Sequence, residues 1–219
     1  MKLFAIAFGT VFTASIGFSQ TLNLATFGTN AAPGMMLDLT SSQPEGIRIH
    51  RWFVHTPSGS TPLPIMQLWY REGTYVGNEF SASGWTLHDT KEIIRGQPGL
   101  DHNTLIPFEP LDIPNGTTYG VYLVVSNHHP HTPFVVAPQA SPIPPALPTY
   151  IGPGFRVDGG TMRGSISETP GNPFGPQAFP NFMLRSRLEY APVPEPATVL
   201  ALMAGIGALL IRRRHSRSH

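Results

Sequence analysis

Three closely spaced histidines are the first residues in this chain that could do chemistry. His128, His129 and His131 lie in the stretch SNHHPHTP. Imidazole nitrogens are good ligands for zinc and copper, and a loop can bring a third ligand into reach two residues further on. Pro130 restricts the backbone between them, and no partner ligands follow at a fixed spacing. We therefore predict no metal site, and a solvated loop at a strand end is the simpler interpretation.

Carboxylates form the second candidate group. Asp101, Glu109 and Asp112 follow one another closely, with Asn103 among them. Oxygen ligands from a loop suit Ca²⁺, but the Asp-x-Asp-x-Asp-Gly series of a calcium loop is missing. As the acid and base of a glycosidase, two of these groups would have to face each other at about 5–10 Å. The simpler alternative is that they are solvated turn residues.

Aromatic residues suited to stacking on sugar rings form the third group, and they are Trp52, Trp69, Tyr70, Tyr75 and Trp85. Tyr75 lies in the loop sequence REGTYVGNE, so we predict that its ring is exposed. Trp69 and Trp85 lie within strand patterns, for which packing in the core is the favoured interpretation. The candidate ligand contacts of the body are Tyr75, Trp69 and Trp85.

Nucleophilic catalysis has no signature in this sequence. The chain lacks Cys, which excludes thiol chemistry and thiolate metal sites, and it lacks a Gly-x-Ser-x-Gly motif. The stretch GSISETPGNPFG is rich in Gly, but no helical pattern follows it, so it does not predict a phosphate-binding loop. We predict that the protein is not an enzyme and uses no cofactor.

In the segments that must position these residues, apolar and polar side chains alternate with a period of two, which is typical of β-strands. In GIRIHRWFVH the pattern places Ile47, Ile49 and Phe53 on one face, interrupted by Arg51. In TYGVYLVV both faces are apolar, which predicts a central strand buried on both sides. Further strands are predicted at residues 22–27, 35–40, 65–70, 85–94, 155–158, 161–166 and 181–190.

Turn residues separate these strands. The 24 prolines and 22 glycines disfavour long helices, and IPNG at residues 113–116 and DGG at residues 158–160 predict turns. Residues 130–153 contain eight prolines, which predicts a long loop. The fold class that follows is all-β, an antiparallel, jelly-roll-like β-sandwich of about nine strands.

The charges are distributed unevenly along the chain. The formal net charge is +1, but Lys2 and four arginines from residue 212 onward lie near the ends. Residues 20–191 contain nine basic and twelve acidic residues, so the body itself is slightly acidic. This balance excludes an extended basic surface and argues against a nucleic-acid partner.

The amino terminus has the composition of a secretory signal. Lys2 precedes an apolar run, and Gly17 and Ser19 supply small residues before a cleavage site, so the mature chain should begin at Gln20. An uncleaved amino-terminal membrane anchor is the alternative.

The carboxyl terminus contains a second apolar segment, residues 197–211, followed by Arg212, Arg213 and Arg214. As a helix its 15 residues would extend about 22 Å, which is short for a hydrocarbon layer of about 30 Å. The arginines would hold their end in the cytoplasm. A sorting helix and a permanent single-pass anchor are both compatible with these numbers.

The order of segments in the tail indicates a function more specifically than the apolar segment does by itself. Val193, Pro194, Glu195 and Pro196 precede the apolar segment, and this order resembles the PEP-CTERM sorting tail of Gram-negative bacteria. The resemblance implies recognition by exosortase, a membrane-embedded cysteine-type transpeptidase, while residues 197–211 hold the precursor transiently in the inner membrane. It further implies cleavage near the Pro-Glu-Pro triplet and transfer of the body to the cell surface or medium, often in bacteria that make exopolysaccharide.

A looser resemblance covers roughly residues 34–125. YREGTYVG at residues 70–77 and IPNG at residues 113–116 are similar to stretches in β-sandwich ectodomains of other PEP-CTERM proteins. This resemblance implies a sandwich fold and carries no assigned active site.

We therefore expect three segments: a signal at residues 1–19, a β-sandwich at 20–191 and a sorting tail at 192–219. The expected function is a non-catalytic envelope, biofilm or matrix component that associates with exopolysaccharide. A carbohydrate-binding or glycan-hydrolysing domain is the alternative, and it requires two carboxylates that converge beside an exposed Trp or Tyr.

Overall fold

The structure is a computed structural model that describes residues 19–24, 30–55, 65–95, 104–126, 134–138, 149–163, 173–175 and 178–194. Ser19–Val193 forms one compact unit, called the body below. Within the described ranges, no helix has the length and apolar character needed to cross a bilayer. The predicted signal helix and the predicted sorting helix at residues 197–211 lie outside the described residues.

The regular secondary structure of the described residues consists of strands, so the predicted all-β class is confirmed. The strands are β1 (Gln20–Asn23), β2 (Asn30–Ala32), β3 (Gly34–Ser41), β4 (Ile47–Val54), β5 (Ile65–Glu72), β6 (Thr86–Glu92), β7 (Ile94–Arg95), β8 (Thr104–Ile106), β9 (Leu111–Ile113), β10 (Thr118–Val125), β11 (Phe134–Pro138), β12 (Thr149–Gly152), β13 (Phe155–Arg163), β14 (Ala178–Leu184) and β15 (Ser186–Pro192).

These strands form two antiparallel sheets. The six-stranded sheet has the order β1-β15-β4-β8-β7, with β9 also paired to β4. The nine-stranded sheet has the order β2-β11-β14-β13-β3-β10-β5-β6, with β12 paired to β13. One apolar core collects side chains from both sheets, including Leu37, Leu39, Val121, Ile49, Trp52 and Leu188. This arrangement is consistent with the predicted β-sandwich.

Strand β10 lies at the centre of the nine-stranded sheet, between β3 and β5. Val121 and Leu123 contribute to the core shared with the other sheet, whereas Tyr122 and Val124 are buried on the opposite face. The prediction of a strand buried on both sides is confirmed. The outer face of this sheet must therefore have a cover of its own.

Strand β4 contains an irregularity that the alternation pattern did not reveal. Glu189 of β15 pairs with Arg51 and Tyr190 with Ile49, so one residue of β4, His50, is unmatched. Such a bulge moves the later side chains to the opposite face. Trp52 consequently faces the core, and the prediction that Phe53 does so is wrong. Phe53 lies on the outer face instead, where the Arg187 guanidinium carbon is 3.9 Å from its ring centroid.

A second irregularity replaces the turn predicted at residues 158–160. Strand β13 runs through both glycines without turning, and its register against β3 shifts between Asp158 and Thr161. A Cβ atom on Gly160 would overlap the carbonyl oxygen of Met36, so the residue permits close approach of two backbones. The two strands predicted on either side of these glycines are therefore one strand.

The prediction of a continuous loop at residues 130–153 is wrong in part. Strand β11 lies between β2 and β14, and strand β12 pairs with β13 alone. The two strands flank the most proline-rich part of the segment, residues 142–148, which lies outside the described residues. Proline disrupts pairing only where it removes a needed N–H donor, so short strands form on both sides of the proline cluster.

Both chain ends leave the body at the same end. Gln20, the first residue of β1, pairs with Tyr190, and Pro192 at the end of β15 pairs with Ile47. Three turns lie at this end, at residues 42–46, 114–117 and 153–154. They are joined by bonds from Ser42 N–H to the Gly154 oxygen (2.9 Å) and from Gly116 N–H to the Ser41 oxygen (2.9 Å). We call this region the exit end.

Candidate functional site

The loop between β5 and β6, residues 73–85, contributes to a second apolar cluster on the outer face of the nine-stranded sheet. We call this the outer cluster, and its members are Met36, Tyr75, Trp85, Tyr122, Val124 and Phe174. The rings are in contact, with Tyr122 and Phe174 centroids 5.1 Å apart and Trp85 and Phe174 centroids 5.4 Å apart. The candidate ligand contacts Tyr75, Trp69 and Trp85 thus belong to, or border, this small core, whereas Trp52 and Tyr70 belong to, or border, the core between the sheets.

Glycines allow the loop to approach the sheet. Gly73 has a φ of 83°, and its N–H donates to the Thr118 oxygen at 2.8 Å, while Gly120 N–H donates to the Gly73 oxygen at 2.6 Å. A Cβ on Gly120 would lie 2.6 Å from the Tyr75 nitrogen. A glycine inside a strand signals close approach of another backbone. In the sequence, Gly120 was therefore the residue that indicated close packing of the loop on the outer face of the sheet.

Tyr75 is buried, with 2% of its surface exposed, so the prediction that its ring is exposed is wrong. Burial, the largest effect, raises the pKa of Tyr75 to about 12, although a hydrogen bond with Thr161 lowers it. The phenol therefore stays neutral at physiological pH. These features suit a packing residue that fixes the loop better than a ligand contact or a proton carrier.

The two tryptophans differ in exposure. Trp85 is 8% exposed, and its indole N–H donates to the Asn78 oxygen at 3.0 Å, as expected for core packing. Trp69 is only partly buried, and its indole N–H donates to Gln67 Oε1 at 3.0 Å. Among the three candidate ligand contacts, Trp69 is the one that is only partly buried.

Asp38 anchors the loop and was missed by the sequence analysis, which treated it only as part of a strand. Its Oδ2 accepts a hydrogen bond from the Thr74 hydroxyl at 2.5 Å, and its Oδ1 accepts one from the Tyr75 N–H at 3.0 Å. Burial is the main cause that raises the pKa of Asp38, and the charge of Asp158, its partner across the strands, adds to this. The Thr74 and Tyr75 hydrogen bonds oppose the shift.

Asp38→Asn should flatten the dependence of stability on pH. A carboxyl whose pKa is raised by folding destabilises the folded state once it ionises, so wild-type stability falls as pH rises from about 4 through the raised pKa. The amide cannot ionise, and it can still bond to Thr74 and Tyr75. We expect the variant to lack this fall and to be at least as stable as wild type at pH 7, measured by urea unfolding between pH 3 and 8. A variant that keeps the fall would contradict the assignment to Asp38.

The predicted carboxylate group is divided among separate ion pairs. Asp112 forms a two-point pair with Arg48, at 2.6 Å from Nε and 2.7 Å from Nη2. Glu109 lies 3.5 Å from the Lys91 ammonium and is largely exposed. Asp101 lies outside the described residues. Both described carboxylates therefore have a basic partner at the surface.

The histidine group, His128, His129 and His131, lies outside the described residues. Within the ranges that the structure does describe, no three His, Asp or Glu side chains are grouped as a metal site would require.

The sorting motif begins where the body ends. Val193 N–H donates to the Gly46 oxygen at 3.2 Å, and the next residue, Pro194, is exposed. Glu195, Pro196 and the cluster Arg212, Arg213 and Arg214 lie outside the described residues.

Comparison with protein families identifies this region. The family model described as the PEP-CTERM protein-sorting motif matches residues 192–214. The chain carries a PEP-CTERM sorting motif. It indicates an exported protein that is made as a membrane-anchored precursor, recognised by exosortase and processed for export. The resemblance seen in the tail is thereby confirmed. No curated protein matches the chain.

Proposed function

We propose that the protein is a non-catalytic component of the cell envelope or extracellular matrix, delivered by exosortase and associated with exopolysaccharide through its β-sandwich body. The PEP-CTERM motif carries the delivery part of this proposal. After cleavage the body is the delivered product, so its surface must account for any role outside the cell.

The described candidate catalytic and ligand-binding side chains form ion pairs and hydrogen bonds within the body, which supports a non-catalytic role. Asp112 is neutralised by Arg48, and Glu109 lies beside Lys91, so neither has the setting of a tuned acid–base pair. The phenol of Tyr75 and the indole N–H of Trp85 are used inside the body. The described side chains that sequence analysis singled out are thus largely occupied in holding the fold.

Cores on both faces of the nine-stranded sheet support a structural role. One lies between the sheets, and the outer cluster lies beneath the loop at residues 73–85. A chain without Cys obtains its stability outside the cell from such burial rather than from disulfides. Because both chain ends leave at the exit end, the remaining surface is available to matrix components.

Glycan recognition at Trp69 is the second candidate function. Its ring is held by Gln67 and by an edge contact with Phe174, whose centroid is 5.7 Å away, and its cross-strand neighbour Leu87 is 43% exposed. A partly buried indole that is held in place beside an exposed apolar neighbour suits the apolar face of a sugar. This surface would bind saccharide without any reaction.

Co-sedimentation of the mature protein with exopolysaccharide from its own host separates the two candidates. We expect wild-type protein to be retained, and Trp69→Ala to be retained equally if association is distributed over the body. Recognition at one stacking site predicts that Trp69→Ala weakens binding about fivefold or more, since aromatic stacking contributes about 1–3 kcal/mol. Leu87→Ala is the matched control for lost apolar surface. Failure of wild-type protein to sediment would contradict both candidates.

A further inference from the structure

The matched sorting motif and the folded body overlap. The match begins at Pro192, which lies in β15 and pairs with Ile47 of β4. The following residue, Val193, is tied to Gly46 by its N–H. Pro194 has no N–H to continue this bonding, so the body ends at Val193, directly before the Pro-Glu-Pro triplet. No spacer separates the recognised peptide from the fold.

The reach of the triplet is therefore small. Three residues in an extended chain cover at most about 10 Å. An enzyme that binds residues 194–196 must come within that distance of the point where β15 ends. The nearest part of the body there is the turn at residues 42–46, because its last residue, Gly46, accepts the bond from Val193.

This turn is rigid and partly charged. Gly46 has a φ of 79°, and a Cβ there would lie 2.7 Å from the Ile113 oxygen, so the turn packs tightly on its neighbour. Gln43 Nε2 donates to the Pro153 oxygen at 3.3 Å, which joins the turn to the one at residues 153–154. Pro44 and Glu45 are exposed at its tip. A fixed turn with one exposed charge is a surface that a partner can recognise at low entropic cost.

The amino terminus leaves the body at the same end. Gln20 pairs with Tyr190, only three residues before Val193. The predicted signal segment ends at residue 19, so both predicted apolar segments are joined to the body at the exit end.

We propose that the exit end is a docking surface for exosortase, with the turn at residues 42–46 in contact with the enzyme while it binds the Pro-Glu-Pro triplet. This inference rests on exosortase-dependent sorting and extends it from the tail to the body. The enzyme recognises a composite of the linear motif and the folded turn, so processing favours precursors whose body has folded.

Photo-crosslinking of the full precursor tests the contact. Benzoylphenylalanine is placed at position 45, at position 92 or at position 197, directly after the triplet, in cells whose exosortase lacks its catalytic cysteine, so that the complex persists. Glu92 is the matched control, because it is an exposed glutamate at the end of β6 remote from the exit end. We expect crosslinks to exosortase from positions 197 and 45 and none above background from position 92.

A flexible ten-residue Gly-Ser spacer between Val193 and Pro194 provides the second measurement. It should reduce the crosslink from position 45 at least about fivefold while leaving that from position 197 intact, because it raises the reach of the tether. Crosslinking from 197 but not from 45 would overturn the docking surface and leave sorting in place. Absence of crosslinks from 197 would instead contradict exosortase recognition itself. Equal thermal unfolding of the purified bodies excludes misfolding as the cause of a difference.

Discussion

Glu195→Ala is expected to leave the precursor uncleaved, with its carboxyl terminus intact in the inner membrane. Glu195 is the only charged residue of the Pro-Glu-Pro triplet, so its carboxylate is the one charge that the triplet offers to a binding pocket. Removing one partner of a buried charge pair costs about 2–5 kcal/mol, and 1.4 kcal/mol corresponds to tenfold. Processing should therefore slow at least about tenfold, measured by immunoblotting of membrane and extracellular fractions.

Deletion of Arg212, Arg213 and Arg214 should have a similar outcome for a different reason. The resemblance to sorting tails predicts that these charges hold the end of the short apolar segment in the cytoplasm, so the deletion should change the depth at which the triplet is presented to exosortase. Glu92→Ala, which removes an exposed glutamate of the body, should be processed normally. Intact-mass measurement of wild-type mature protein gives the decisive comparison, since a mass that still includes the arginine cluster would refute cleavage.

Gly160→Ala is expected to prevent stable folding of the body. A Cβ at this position would overlap the Met36 carbonyl oxygen, which belongs to the backbone of β3 and cannot rotate away. Strand β13 would have to separate from β3 at the bulge, which breaks pairing at the centre of the nine-stranded sheet. We expect the free energy of unfolding to fall by more than about 4 kcal/mol, a change that is typical only of severe core disruption. For a body of this size the midpoint of thermal unfolding should fall by about 8 °C or more.

Gly77→Ala is the control for this experiment. Gly77 has a φ of 82°, and a Cβ there would meet nothing within 4 Å, so only the backbone preference is lost. The substitution should lower the free energy of unfolding by about 1–2 kcal/mol. Circular dichroism of both purified variants checks the comparison. Equal stability of the two variants would show that the bulge relaxes, contrary to the close approach of β3 and β13.

Much of the fold was predictable from local pattern. Strand β10 was predicted to be buried on both sides, and this is confirmed. Successive residues of a strand point to opposite faces of the sheet, and in β10 the residues on both faces are apolar. The IPNG turn was also predicted correctly, since Gly116 has a φ of 69° and Thr117 N–H donates to the Pro114 oxygen. Period and turn chemistry are properties of neighbouring residues, so a single sequence contains them.

The errors share one cause, which is contact between residues far apart in the chain. The bulge at His50 depends on how β15 pairs with β4, and the straight passage of β13 through Gly160 depends on β3. Tyr75 looked like an exposed loop residue because its anchor, Asp38, lies 37 residues earlier in the chain. A glycine pair or a loop aromatic is locally ambiguous until its spatial neighbour is known.

The sequence by itself determined that exosortase sorts this protein, because the sorting motif is a linear signal whose meaning lies in the order of its residues. Only the tertiary structure decided that Tyr75 and Trp85 are withdrawn into a core and that the motif begins directly at the last hydrogen bond of the body. The burial of a side chain and the distance between two segments depend on which parts of the chain folding brings together. The order of residues along the chain does not contain this information.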